Sequence, residues 1–510
     1  MNVAGKIVEI LEDEGIHDVF GIPGEQIMPL YKALSTSNIN HILTRHEQAA
    51  AHAADGYARA SGKIGVCIAT ASPGALNFTM ALATAFKDNI PVLVLTGDNE
   101  LKYRGTDHFQ TTPQVEIFKN LTRASYNPLN GTEALYTLRA AIHELKTFPK
   151  GPIHINLSKD VLLAEEFEDF KLCYLCEDDL SNINKAQDLI DKSERPLFIL
   201  GAGAISQKEN IEKIANENQI PVTTTFHGKG IISEDDELNL GLVGIRSTPR
   251  AKYAFENADC IIALGIKASE RTLPEIPDNL IHVNINRDVL VGECPIYGKV
   301  GDFICKINFK KANWLGEILE IDNSLKIEGL DVDLKPQAAI KRILEKYPNN
   351  IIASDAGSHT TWTTLLKKSL KPRQLLFSGA MAPMGYGLPA SIGASIATDE
   401  RVIVINGDGD FQMNLQELAT IKNHGLDIII FILNNSEFAI IRQWEEDFYD
   451  MNPYQVKLNN PDFIKLASSY GIDAIKVDSL DDLEFILDKD LKGPLVVEVI
   501  VESENIPLPK

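Results

Sequence analysis

The sequence predicts an α/β protein built from three doubly wound parallel-sheet domains, and three observations carry that prediction. At 510 residues the chain exceeds what one hydrophobic core serves; at about 150 residues per domain it divides into roughly three. Short β-rich apolar runs alternate with amphipathic stretches throughout, the pattern of parallel strands covered by helices. Polar, charged stretches at Glu165 to Asp188 and Lys326 to Lys335 interrupt that alternation, which places the domains at 1–165, 184–325 and 336–510.

In the first block, strands are expected at Val19 to Phe20, Gly65 to Thr70, Val92 to Thr96 and Ile153 to Asn156. The Ala-rich stretch Gln48 to Ala60 reads as a helix, stopped by Gly62. The second block offers strands at Pro196 to Leu200, Val222 to Thr225, Cys260 to Leu264 and Leu280 to Ile285. Gly201-Ala202-Gly203 follows the first of these as a dinucleotide loop would, but Ser206 occupies the third glycine position, so a plain strand-to-helix turn is an equal reading. In the third block, Val402 to Ile405 and Ile428 to Leu433 are strands. Between them Asn414 and Glu417 have capping-box spacing ahead of a helix from Leu415 that Gly425 ends.

Composition excludes several classes. Lys and Arg total 49 against 71 Asp and Glu, a net charge of −22 that repels nucleic acid and anionic membranes. An anionic substrate would need local positive charge from a metal, a few Arg or Lys, or helix N-termini. The start lacks a basic segment followed by an apolar core, and no run approaches the roughly eighteen apolar residues of a membrane helix; a cytoplasmic location is expected. Six scattered Cys make no disulfide framework, and the single CxxC, Cys173 and Cys176, reads as incidental.

The most informative stretch runs from Arg401 to Trp444. Gly407-Asp408-Gly409 turns at the carboxyl end of one strand and Asn435 follows the next, so both side chains reach one ligand crevice. A carboxylate, an amide oxygen and free carbonyls form a hard-oxygen site suited to Mg²⁺ and its phosphate, which the flanking glycines let approach the backbone.

This stretch, GDG followed by NN, resembles the diphosphate-binding signature of the thiamine diphosphate (ThDP) enzymes. The resemblance implies Asp408, the Asn435 side chain and the Glu437 carbonyl as Mg²⁺ ligands, with Gly407 and Gly409 against the diphosphate. It also implies that Gly357, Ser358 and His359, in SDAGSH, help hold that group. Asp410 replaces the usual Ser; a carboxylate beside a diphosphate must point away. ThDP chemistry needs a proton removed from thiazolium C2, achieved by a Glu bonded to the aminopyrimidine ring. TRHEQAAAHAADGYARASG resembles the RHEQ segment of the acetolactate synthases, which makes Glu47 the catalytic glutamate. By the same resemblance Gly24, Thr70, Pro73 and Asn77 line the pyrimidine pocket, and Met384 holds the cofactor bent. In this family the two cofactor ends come from different subunits, implying a homodimer or homotetramer; whether a regulatory subunit binds stays open.

The reaction type follows from the same comparison. Gly105-Thr106-Asp107 with Phe109-Gln110, Arg442-Gln443-Trp444 and Arg271 in SERT match acetolactate synthase segments. They imply a catalytic Gln110, an acceptor pocket at Trp444, and an Arg271 fork that holds a substrate carboxylate. The expected reaction is decarboxylation of a 2-oxo acid, pyruvate first, with carboligation to a second. Departures are Glu25 and Gln26 for small residues at the entrance, Thr111 for Glu, and an end at ENIPLPK short of the family's C-terminal arm. FAD is admitted by the resemblance, although Ser247 and Lys267 replace the Gly and Arg usual at its site. The alternatives are a simple 2-oxo acid decarboxylase, against which His108 stands without a partner His, a flavin-dependent oxidase, and a silent regulatory homologue.

Overall fold

A computed structural model of the chain describes residues 1–147, 149–170 and 179–507. Cys173 and Cys176 lie outside the described residues. Among the described residues the strands form three six-stranded sheets. The first holds β1 (Asp18–Gly21), β2 (Asn40–Leu43), β3 (Gly65–Ala69), β4 (Val92–Asp98), β5 (Ala124–Tyr126) and β6 (Ile153–Ser158), in the order β2-β1-β3-β4-β6-β5 with parallel ladders.

The second sheet contains β7 (Pro196–Leu200), β8 (Val222–Thr224), β9 (Asn239–Leu242), β10 (Cys260–Leu264), β11 (Leu280–Asn284) and β12 (Cys294–Tyr297). Its order, β12-β11-β10-β7-β8-β9, is that of the Rossmann fold. After β7 a 3₁₀ turn over Ala202–Gln207 takes the place of a dinucleotide loop. Gly201 and Gly203 there press on the backbone of Gly265, contacts that a Cβ would forbid, so close packing accounts for both glycines.

The third sheet is built from β13 (Ile351–Ser354), β14 (Leu375–Leu376), β15 (Val402–Gly407), β16 (Ile428–Asn434), β17 (Asp473–Val477) and β18 (Leu495–Ile500). Its order, β14-β13-β15-β16-β18-β17, repeats that of the first sheet. β3 and β16 are buried along their whole length, which explains their continuous apolar sequences.

The first and third sheets belong to one compact unit and share a core that runs from Phe20, Cys67 and Val94 to Val404, Ile430 and Val496. The middle sheet makes a second unit with its own core around Leu197, Ile262 and Val283. The helices that bear on the site are α1 (Glu47–Ser61), α2 (Ser358–Leu366), α3 (Gly387–Thr398), α4 (Leu418–His424) and α5 (Ala439–Tyr449). α1 ends on Gly62, whose φ of 77° is the left-handed stop its sequence calls for.

α1 packs on α3 backbone to backbone, because a Cβ on Gly56 would strike the carbonyl of Ala390 and one on Gly393 the carbonyl of Ala53. A buried polar cluster crosses this contact. Arg59 pairs with Asp55 at 2.6 Å and Asp88 at 2.8 Å, and the Tyr386 hydroxyl donates to Asp55 at 2.8 Å.

The capping box is corrected by the structure. A 3₁₀ turn over Leu415–Glu417 precedes α4, and Asn414 makes no cap bond. Its side-chain amide donates to the Gly385 carbonyl at 2.6 Å, and Glu417 accepts from the main chain ahead of α1. Long-range partners won over the local ones. Among the described residues no helix is long and apolar enough to cross a membrane.

Candidate functional site

In the order shared by the first and third sheets, the chain turns opposite ways from β1 and β3, and again from β13 and β15. A crevice therefore opens outside the carboxyl ends of each pair, where ligands of such sheets bind. Gly24, Glu47 and Thr70 follow strands at the first crevice, and Asp408 and Asn435 follow strands at the second.

At the first, loops leaving β1, β2 and β3 bring Gly24, Glu47 and Thr70 together. Glu47 opens α1 and is half-buried. One of its carboxylate oxygens accepts from Asn77 Nδ2 at 2.9 Å. The other faces Gly74 so closely that a Cβ there would lie 2.9 Å away. Gly24 faces Thr70 with no room for a Cβ, and the buried Thr70 hydroxyl has no hydrogen-bond partner. A flat polar ring would find here a carboxylate, an unsatisfied hydroxyl and side-chain-free walls.

Pro73 lies exposed in the first turn of the short helix Ser72–Leu76. The loop carrying Gln110 is tied to that helix by the Ser72–Thr112 hydroxyl pair at 2.7 Å. Asn99 anchors the same loop through the Phe109 carbonyl at 2.8 Å and the Thr111 hydroxyl at 3.0 Å. Gln110 itself is left-handed, with φ of 61°. Glu25 pairs with Lys159 at 3.2 Å, whereas Gln26 is buried. His108 stacks on Tyr103 at 3.9 Å between ring centroids.

At the second crevice, Asp408 follows β15 and Asn435 follows β16. Asp408 Oδ2 accepts from the Ser436 N–H at 2.8 Å and from Asn460 Nδ2 at 2.6 Å. Gly409 N donates to Asp408 Oδ1 at 3.0 Å, and Asn435 Oδ1 accepts from Glu437 N at 3.1 Å. The Glu437 carbonyl accepts from Ala439 N at 3.0 Å, which leaves it a second lone pair. The Glu437 side chain turns the other way, to Lys457 at 2.9 Å and Arg442 at 3.2 Å.

Burial pushes the Asp408 carboxyl above its ordinary value, only partly offset by the Asn460 and Ser436 donors. A cation bound there would reverse that shift. Among the described residues no group of three or more His, Cys, Asp or Glu is arranged to hold a metal ion by itself. The Asp408 carboxylate, the Asn435 amide oxygen and the Glu437 carbonyl are a set that would suit Mg²⁺ and leave positions for phosphate.

α2 brings Gly357, Ser358 and His359 to the same end of the sheet. The Ser358 hydroxyl and His359 Nε2 are buried without hydrogen-bond partners, and a Cβ on Gly357 or Gly407 would crowd the imidazole at 2.9 and 3.3 Å. Burial holds His359 down to about 3, so the ring is neutral. Its Nε2 is 3.2 Å from Asp410 Oδ2, outside hydrogen-bonding geometry. Asp410 is buried and takes a bond from Asn406 Nδ2 at 3.1 Å. Met384 lies in the turn ahead of α3, half-buried.

The sequence reading gave three residues here no part in the site. Asp355 accepts from the Gly385 and Gly387 N–H groups at 2.8 and 2.7 Å and so shapes the Met384 turn. Asn460 clamps Asp408, and Glu417 holds the start of α1. Asp355 had a local signal in its place just after a strand and before Gly357, whereas the spacing of Glu417 pointed to a local cap.

The residues assigned to the acceptor pocket fall in different units. Trp444 is exposed on α5, and Arg442 beside it is engaged by Glu437 and by Asn505 at 2.6 Å. Arg271 belongs to the unit of the second sheet, where its carbonyl accepts from Ile245 N at 3.1 Å and its charge bears on Arg246.

Comparison with known proteins gives this arrangement a context. Residues 1–117 match the N-terminal TPP binding domain of thiamine pyrophosphate enzymes, 183–307 their central domain and 355–499 their C-terminal TPP binding domain. A probable acetolactate synthase large subunit of Methanocaldococcus jannaschii is 36% identical across 100% of this chain and 93% of its own length. The large subunit of Cyanidium caldarium is 33% identical over 98% and 93%, and chloroplastic acetolactate synthase 1 of Nicotiana tabacum 33% over 99% and 82%. With matches in all three blocks and end-to-end similarity to these proteins, the chain belongs to the thiamine pyrophosphate enzyme family and is a ThDP-dependent enzyme of the acetolactate synthase kind.

Proposed function

We propose that the enzyme decarboxylates pyruvate and joins the remaining two-carbon unit to a second pyruvate, giving 2-acetolactate and CO₂, with ThDP and Mg²⁺ as cofactors. The observation that carries this reading is the pair of crevices in topologically equivalent sheets, one built around Glu47 and the other around Asp408. Bound ThDP supplies the electron sink that decarboxylation of a 2-oxo acid requires.

The chain's own groups do the rest. Glu47, fixed by Asn77, hydrogen-bonds the aminopyrimidine and governs its protonation. Gly24, Thr70, Pro73 and Gly74 give that ring flat walls. Asp408, the Asn435 amide and the Glu437 carbonyl hold Mg²⁺, while Ser358 and neutral His359 offer donors to the diphosphate against Gly357, Gly407 and Gly409. Met384 would pack against the cofactor. Gln110 is proposed as the catalytic amide, Trp444 as an apolar side chain for the acceptor, and Arg271 as a fork for a substrate carboxylate.

The reading requires a homodimer or a dimer of dimers, with Glu47 of one subunit facing Asp408 of its partner. The exposed apolar side chains on and after α5, Ile441, Trp444, Phe448, Tyr449 and Met451, support a covered surface there. It also takes the domains as 1–165, 184–325 and 336–510, and the cytoplasm as the location. The conversion is redox-neutral, so FAD has no electrons to carry in it.

The test is product identification. Purified protein with pyruvate, ThDP and Mg²⁺ should release one CO₂ per acetolactate by mass spectrometry. Acetaldehyde as the main product would replace this reading with a simple decarboxylase. Thermal stabilisation by the cofactors without turnover of any 2-oxo acid would replace it with a silent homologue.

A further inference from the structure

Two backbone N–H groups just ahead of α1 share a single acceptor. Those of Arg45 and His46 donate to Glu417 Oε1 at 2.9 and 3.1 Å, across more than 370 residues of sequence. The other oxygen, Oε2, accepts from the Thr420 hydroxyl at 2.6 Å. Thr420 in turn stands 3.4 Å from the Leu43 carbonyl at the end of β2. Glu417 is fully buried, and among the described residues its hydrogen-bond partners are these two amides and the hydroxyl, with the Arg45 charge as the smallest of the influences on it.

From this geometry we infer that Glu417 is a positioning residue for Glu47: it fixes the main chain at Arg45 and His46, and thereby where the next side chain meets the cofactor. The inference rests on the role proposed above for Glu47. The N–H groups that precede a helix have no intrahelical partner, and one rigid acceptor for two successive amides fixes the peptide plane between them. His46 completes the hold as N-cap, its Nδ1 accepting from Gln48 N at 3.1 Å. Glu47 is thus bracketed by constrained residues on both sides. A misplacement of about 1 Å in such a group costs on the order of a hundredfold in rate, so a buried carboxylate committed to this hold is accounted for.

The arrangement is one of acceptor geometry rather than charge. Both amides use Oε1, so a glutamine can place its carbonyl there and turn its NH₂ to the Thr420 oxygen. An aspartate keeps the charge but withdraws the acceptor by one methylene, and a leucine fills the space with no acceptor.

The experiment compares Glu417→Gln, Glu417→Asp and Glu417→Leu with the wild type by two readouts. In ligand-free protein, amide hydrogen exchange over residues 43–48 should be unchanged in Glu417→Gln and faster by about tenfold or more in the other two. With ThDP and Mg²⁺ bound, exchange of the ThDP C2 proton, followed by NMR after rapid quenching, should stay within about threefold in Glu417→Gln. It should slow at least about tenfold in Glu417→Asp and Glu417→Leu, with cofactor affinity nearly constant because the Asp408 end is untouched. Wild-type C2 exchange in Glu417→Asp would overturn the assignment, as would equal slowing in Glu417→Gln. Should Glu417→Leu not fold, the Asp and Gln pair still decides. Glu47→Gln separates the two ideas: if C2 exchange persists in it, the role given to Glu47 fails, while amide exchange still reports on the hold.

Discussion

Glu47 meets the Asn77 amide with one oxygen and an open glycine wall with the other, so Glu47→Gln removes the acidic proton-handling group and little else. That variant should retain ThDP and Mg²⁺ and lose about 10²- to 10⁴-fold in turnover, as steady-state rates with pyruvate would show. Asn460 donates to Asp408 and also to the Asn434 side-chain Oδ1 at 2.9 Å, which fixes the proposed metal ligand from behind. Asn460→Ala should weaken Mg²⁺ binding roughly 10- to 100-fold in a titration of ThDP-loaded protein, with thermal stability of the ligand-free chain nearly unchanged. Glu47, Asp408 and Asn435 could be proposed from the sequence because each sits in a short run of distinctive neighbours at a strand or helix end. Asn460 and Glu417 could not, because their partners lie 52 and 372 residues away and only the folded chain brings them together.

The contact between α1 and α3 joins the sheet that carries Glu47 to the sheet that carries Asp408. Arg59 lies at its centre with two buried carboxylates, those of Asp55 and Asp88, and its guanidinium is 5.5 Å from the Tyr386 ring centre. Replacing Arg59 by Met fills similar space but leaves both buried carboxylates without their cation. The expected loss is about 3–5 kcal/mol, read from denaturant unfolding. Helix α1 and the strands β7 and β10 were readable almost to the residue, since apolar runs and a glycine stop define them locally. The capping box at Asn414 and Glu417 was misread for the opposite reason: the spacing was right, but both side chains had stronger partners elsewhere in the fold. Short edge strands such as β5 and β14 leave almost no pattern, since two or three residues cannot show a period.

Across the whole molecule, burial sets the response to acid. His52 and His154 are fully buried and held down to about 3 from an ordinary 6.5. The unfolded chain therefore binds more protons than the folded one once pH drops through about 6.5, and stability present above that pH is lost progressively towards 3. Each contributes a slope of roughly 1 kcal/mol per pH unit. Asp355, pushed up to about 6 by burial, works against this because the folded chain takes up its proton first. Neither nitrogen of His52 has a hydrogen-bond partner, so His52→Leu should leave stability at pH 8 equal or higher and flatten its fall between pH 7 and 6. Unfolding midpoints at the three pH values check this.

The repeated strand order of the first and third sheets makes the largest claim: two equivalent crevices, one from each of two subunits, close on one cofactor. Mixing Glu47→Gln protein with Asp408→Ala protein tests it most directly. After subunit exchange, mixed dimers carry one doubly defective site and one intact site, so activity should return to about a quarter of wild type. If exchange is demonstrated and no activity returns, Glu47 and Asp408 serve the same site from one chain, and the proposed architecture is wrong.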